Sequence, residues 1–122
     1  MKNESIDSDK LISDYISFAT IEGNSKLTGD YKTGNSMAKK LNKIYQLISA
    51  DVNIATNILG AAMKSESARA RSLSAVDALR MNILIKEAVA VLEEESRRDD
   101  ILGFGSVMAL KIWRGEIAGT SL

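Results

Sequence analysis

The sequence contains no cysteine, no histidine and no proline, and its aromatic residues are one Trp, three Tyr and two Phe. Without cysteine there is no disulfide, no thiolate nucleophile and no zinc–sulfur site. Without histidine the commonest general base and metal ligand are missing as well. An excess of charge is also absent: 16 Lys plus Arg balance 16 Asp plus Glu, so the molecule as a whole casts no field toward nucleic acid or anionic lipid. No apolar run approaches the roughly 18 residues that a membrane span needs, and the polar stretch Met1 to Asp9 has no apolar run after it. These absences predict a cytoplasmic protein without membrane contact, without a cofactor or a bound metal, and without enzymatic activity.

What is present is the balance of an ordinary globular chain. Its 122 residues are 45% hydrophobic and 26% charged, enough for one packed core and too apolar for disorder. Val and Thr are sparse beside Ala, Leu, Ile, Lys and Glu, so helices are expected and strand signals are weak. Residues 1–8 read as a flexible N-terminus, 9–117 as one helical domain and 118–122 as a tail.

Ser8-Asp9 is a candidate cap for a first helix over about 9–22, with Gly23-Asn24 ending it and 24–30 connecting. Met37, Leu41, Ile44 and Ile48 define one face of a second helix over about 31–50. Asn53 is a candidate cap for a third helix running to Lys64-Ser65, and Ser67 for a fourth carrying Ala68, Ala75, Val76 and Leu79. Segments Ile83 to Glu95 and Ile101 to Trp113 complete the set, with Gly115 as a stop. Six amphipathic helices on short links predict an all-α fold of antiparallel hairpins, either closed as a bundle or stacked in pairs. The expected core is Ile12, Ile16, Leu41, Ile44, Ile48, Ile58, Val76, Leu79, Ala88, Leu92, Met108 and Trp113.

Two charged segments are the candidate partner-binding sites. Lys32, Lys39, Lys40 and Lys43 give residues 31–50 a local charge of +4 with no acid, and Lys32, Lys39 and Lys43 share one helical face. Such a stripe suits acidic groups or phosphates, although a solvated helix face is the bland alternative. Glu93, Glu94, Arg97, Arg98 and Asp99 form the second segment, with Glu95 and Asp100. Neighbouring helical positions point about 100° apart, so these carboxylates do not converge on a metal, and an ion pair between Glu94 and Arg98 is the expected arrangement. Arg71 is expected to pair with Asp51, Asp77 or Glu66. Trp113 and Tyr45 are placed at the core or its edge. Gly103-Phe104-Gly105 lacks the preceding strand and the Lys-Ser or Lys-Thr ending of a phosphate loop, and reads as close packing or a helix start.

The order of Ala70-Arg71-Ser-Leu-Ser-Ala-Val-Asp-Ala-Leu79, Glu87-Ala88, Val91-Leu92-Glu93-Glu94 and Ala109-Leu110-Lys-Ile-Trp113-Arg114-Gly115-Glu116 resembles the small bacterial family catalogued as domain of unknown function 2019. Gly29-Asp30-Tyr31 and Gly34-Asn35 before the second amphipathic segment extend the resemblance to about residues 9–117. It implies a HEAT-like or armadillo-like α-α superhelix and supplies no catalytic residue. On that scaffold the expected function is protein–protein interaction or regulation, the immunity type included, with nucleic-acid binding through the basic stripe as the alternative.

Overall fold

The computed structural model describes residues 7–122, so most of the expected flexible N-terminus, residues 1–6, lies outside the described residues. The fold is all-α. Its six helices are α1 (Ser8–Thr28), α2 (Tyr31–Ile48), α3 (Val52–Met63), α4 (Ala68–Arg80), α5 (Ile85–Glu95) and α6 (Ile101–Trp113), with no strand among the described residues. Short links join the helices; α2, α4, α5 and α6 each pack on their predecessor, α3 packs chiefly on α1 and α4, and α4 sits centrally, packed on α1, α3, α5 and α6. The succession of hairpins is consistent with a helical-repeat-like arrangement. No helix is long and apolar enough to cross a membrane among the described residues.

Caps set most of the boundaries, and several differ from the sequence expectation. Asp7, one residue before Ser8, caps α1 by accepting from the Lys10 amide. Asp51, and not Asn53, caps α3 by accepting from the amides of Asn53 and Ile54. A carboxylate at the true N-cap satisfies orphan amides and faces the positive end of the helix dipole, which is why these aspartates win over neighbouring candidates. Ser67 does cap α4, accepting from the Ala70 amide at 3.2 Å.

Gly23-Asn24 does not end α1, which runs on to Thr28, so most of the expected connection over 24–30 is helical. Gly29 ends it instead, in the left-handed region at φ 80°. Gly23 answers a packing demand: a Cβ there would lie 2.6 Å from the Cβ of Arg69, so its hydrogen lets α4 approach α1. Gly34, where a Cβ would lie 3.3 Å from the Cβ of Ser25, serves the α1–α2 contact in the same way.

The core is small-residue rich. Ile48, Ile58, Leu59, Leu79 and Leu92 are buried among Ala19, Ala55, Ala62, Ala70, Ala75, Ala78 and Ala88. Ile12, Ile16, Val76 and Trp113 pack against this cluster but are only partly buried, as is Met108, whereas Tyr15 is fully buried. Leu122 also packs against the cluster.

Ser67 joins two helices as well as capping one, since its hydroxyl shares a 2.7 Å hydrogen bond with the Thr20 hydroxyl, whose oxygen also lies 2.7 Å from the Ile16 carbonyl. Ser67→Ala should therefore cost about 1 kcal/mol or somewhat more, the usual loss of a helix cap, measured by urea unfolding at unchanged m-value.

Candidate functional site

The structure places the two candidate charged segments very differently. On α2 the apolar stripe of Leu41, Ile44 and Ile48 turns inward, and at about 100° per residue Lys32, Lys39 and Lys43 fall within about 40° of one another on the opposite side. Asn35, Ser36 and Gln46 share this outward face, and all six side chains are exposed. None of the three lysines forms an ion pair with another described residue, and α2 contains no acid. Lys40 lies off this stripe, its ammonium 5.4 Å from the centre of the Phe18 ring. The stripe is about 16 Å long at 1.5 Å per residue.

The second segment is spent on itself. Glu93 pairs with Arg114 at 2.8 Å and Glu94 with Arg97 at 3.1 Å. The guanidinium of Arg98 grips Asp100 with two bonds, at 2.6 and 3.2 Å, while the same carboxylate caps α6 by accepting from the Leu102 and Gly103 amides. The expected Glu94–Arg98 pair does not form, because α5 ends at Glu95 and Arg98 has left the helical register. Of this segment, only Asp99 is exposed without an ion pair to a described residue. Arg98 holds the Asp100 carboxyl below the usual carboxylate range.

Arg71 also corrects the sequence reading. Its Nε donates to Glu95 at 2.9 Å and its Nη1 to the Ser65 carbonyl at 3.0 Å, a bridge from α4 to the buried end of α5. Asp51 is occupied as the α3 cap, and Asp77 serves a separate network.

That network lies in a groove of about 150 Å³ between α2 and α4, floored by α1. Arg69, Leu73, Asp77 and Arg80 contribute from α4 at the spacing i, i+4, i+8, i+11, one face of a helix. The buried Tyr15 hydroxyl donates to Asp77 at 2.8 Å, and Arg80 reaches the other oxygen of that carboxylate at 3.4 Å while its guanidinium lies 4.2 Å from the centre of the Tyr45 ring. Arg69 donates through Nε to Glu22 at 2.6 Å, and Lys26 approaches the second Glu22 oxygen at 3.6 Å. Burial pushes the Asp77 carboxyl above its usual range, against the pull of Tyr15, Arg80 and Arg69. Burial first, and the neighbouring Asp77 charge second, push the Tyr15 phenol well above its ordinary value.

No family model, curated protein or solved structure matches the chain. Chemistry must therefore be argued from the two features on the surface, the unpaired α2 stripe and the charged α2–α4 groove. Sequence reasoning found the first and missed the second. Its readable trace was the Arg69, Asp77, Arg80 face of α4; the partners Tyr15, Glu22 and Tyr45 lie far away in sequence.

Proposed function

We propose that the protein is a non-enzymatic, cytoplasmic interaction module of the helical-repeat kind implied by its family resemblance, holding an acidic surface of another protein against the outward face of α2. The observation that carries this reading is the contrast in charge use. Lys32, Lys39 and Lys43 point outward with no carboxylate partner among the described residues, whereas Glu93, Glu94, Arg97 and Arg98 neutralise one another or their neighbours. Exposed ammonium groups of this kind contribute chiefly to association rate and specificity, and screening by salt weakens them.

The test is the double substitution Lys39→Glu with Lys43→Glu, compared with the unaltered chain in affinity capture from host lysate, with and without nuclease. The expected result is a stoichiometric protein that survives nuclease, is retained by the unaltered chain, and binds the variant about tenfold or more weakly at low salt. Capture that is unchanged by the double reversal would remove the stripe. Capture that disappears with nuclease would transfer the same lysines to phosphate groups, where affinity should fall steeply with salt.

A further inference from the structure

We propose that the α2–α4 groove is a built binding site for a small oxyanion, a carboxylate or a phosphate, held between the guanidiniums of Arg69 and Arg80 with Asn42 and Tyr45 at its mouth. This goes beyond the α2 stripe and does not rest on it.

In both ion pairs of the groove the cation is the more accessible partner. In the pair Arg69–Glu22 the guanidinium side chain is 22% exposed and the carboxylate 10%; in Arg80–Asp77 the values are 38% and 6%. The carboxylates line the groove as well, but as its more enclosed members. Each carboxylate is anchored from its buried side, Asp77 by the Tyr15 hydroxyl and Glu22 by its place on the α1 face against α4. The groups that would repel an anion are thus each engaged by donors, and they orient the groups that would attract one.

The donor count points the same way. A guanidinium carries five N–H donors in a fixed fork suited to planar or tetrahedral oxyanions. Arg69 uses its Nε on Glu22 and Arg80 uses its Nη1 on Asp77; their remaining donors meet no acceptor among the described residues. The Asn42 amide and the Tyr45 hydroxyl, one turn apart on α2, line the same groove and also lack a hydrogen-bond partner among these residues. Stacking on the Tyr45 ring fixes the plane of the Arg80 guanidinium, which lowers the entropy lost when it closes on a ligand. Lys26, which lines the neighbouring pocket and not this groove, approaches the second Glu22 oxygen at 3.6 Å and so offsets part of that carboxylate's charge. A cavity of about 150 Å³ holds a phosphate or a carboxylate with its adjoining carbons and not a larger cofactor.

The experiment is a titration of ¹⁵N-labelled protein with sodium phosphate and, separately, with sodium acetate, against sodium chloride at matched ionic strength. The expected result is saturable shifts confined to the signals of Asn42, Tyr45, Arg69 and Arg80, with a dissociation constant on the order of 1 mM for at least one oxyanion and none in chloride. A response to phosphate alone assigns a tetrahedral ligand, and a response to acetate assigns a carboxylate. Asn42→Asp changes an exposed side chain and places a carboxylate at the mouth, so it should weaken binding about tenfold or more. Arg80→Gln should do the same by removing a donor fork. Unchanged spectra elsewhere confirm that both variants remain folded. Shifts reproduced by chloride, saturable shifts that survive in both variants, or no saturable shift with either oxyanion would overturn the proposal. The Lys39→Glu, Lys43→Glu variant should still bind the oxyanion, which separates this site from the α2 stripe.

Discussion

Replacing Tyr15 with alanine should cost about 3–5 kcal/mol, the range for removing a fully buried aromatic side chain, and should bring a domain of ordinary stability, about 5–15 kcal/mol, close to unfolding. Two terms combine in this residue. The ring is 0% exposed and packs with Ala19 and its neighbours in the core, while its hydroxyl donates to the buried Asp77. Tyr15→Phe separates them. It keeps the ring and removes the donor, so it should cost about 1–3 kcal/mol, because Asp77 then loses a buried partner that favoured its ionised form. Urea unfolding of the three proteins reads both terms; equal losses for Phe and Ala would mean that the ring contributes nothing. The same side chain predicts a pH dependence. The native environment raises the phenol well above its ordinary value of 10.0, so the unfolded chain releases that proton at lower pH than the native protein does. The resulting stability is present in full below about pH 10 and is lost as pH climbs toward the native-state value. Alkaline unfolding monitored by circular dichroism should therefore be less steep in Tyr15→Phe than in the unaltered protein.

The helices were legible because their signals are local. The face Leu41, Ile44, Ile48 and the cap at Ser67 need only a few residues of context, and both stand in the structure. The outward placement of Lys32, Lys39 and Lys43 follows from the same periodicity. Errors arose where one residue type serves two purposes. Gly23 carries the usual mark of a helix end, but its task is to admit Arg69 from α4, which depends on tertiary contact. Nothing near Tyr15 in sequence marks it as the partner of Asp77, 62 positions away. Arg71 shows the same limit: several acids were available along the chain, and only the packing of α4 on α5 selects Glu95. The α2–α4 groove belongs to this second kind of information. Its lining residues come from three helices, and none of the charged ones is distinguished in sequence from a solvated charge.

Gly103→Ala should destabilise the protein by about 1–3 kcal/mol, the range for overpacking a closed site, whereas Gly105→Ala, two positions along the same helix, should stabilise it by about 0.5–1 kcal/mol. The opposite signs come from surroundings, since both residues lie within α6 and alanine is the better helix former at either place. A Cβ on Gly103 would overlap the Arg98 carbonyl oxygen and stand 2.8 Å from its carbon and 2.9 Å from the Arg98 Cβ. That carbonyl is backbone, and it cannot swing aside like the tip of a long side chain. Its position is fixed further by the two bonds from the Arg98 guanidinium to Asp100 and by Asp100 capping the helix that contains Gly103. Gly105 is exposed, and a Cβ there meets nothing within 4 Å. Thermal unfolding distinguishes the two variants readily, at roughly 3–6 °C per kcal/mol for a chain of this size. If Gly103→Ala instead matched Gly105→Ala, the loop over 96–100 would have to yield without cost, and its packing on the first turn of α6 could not be the reason for glycine at position 103. The contrast also explains why Gly103-Phe104-Gly105 has no need of a phosphate: the first glycine is occupied by protein backbone, and the second faces open space.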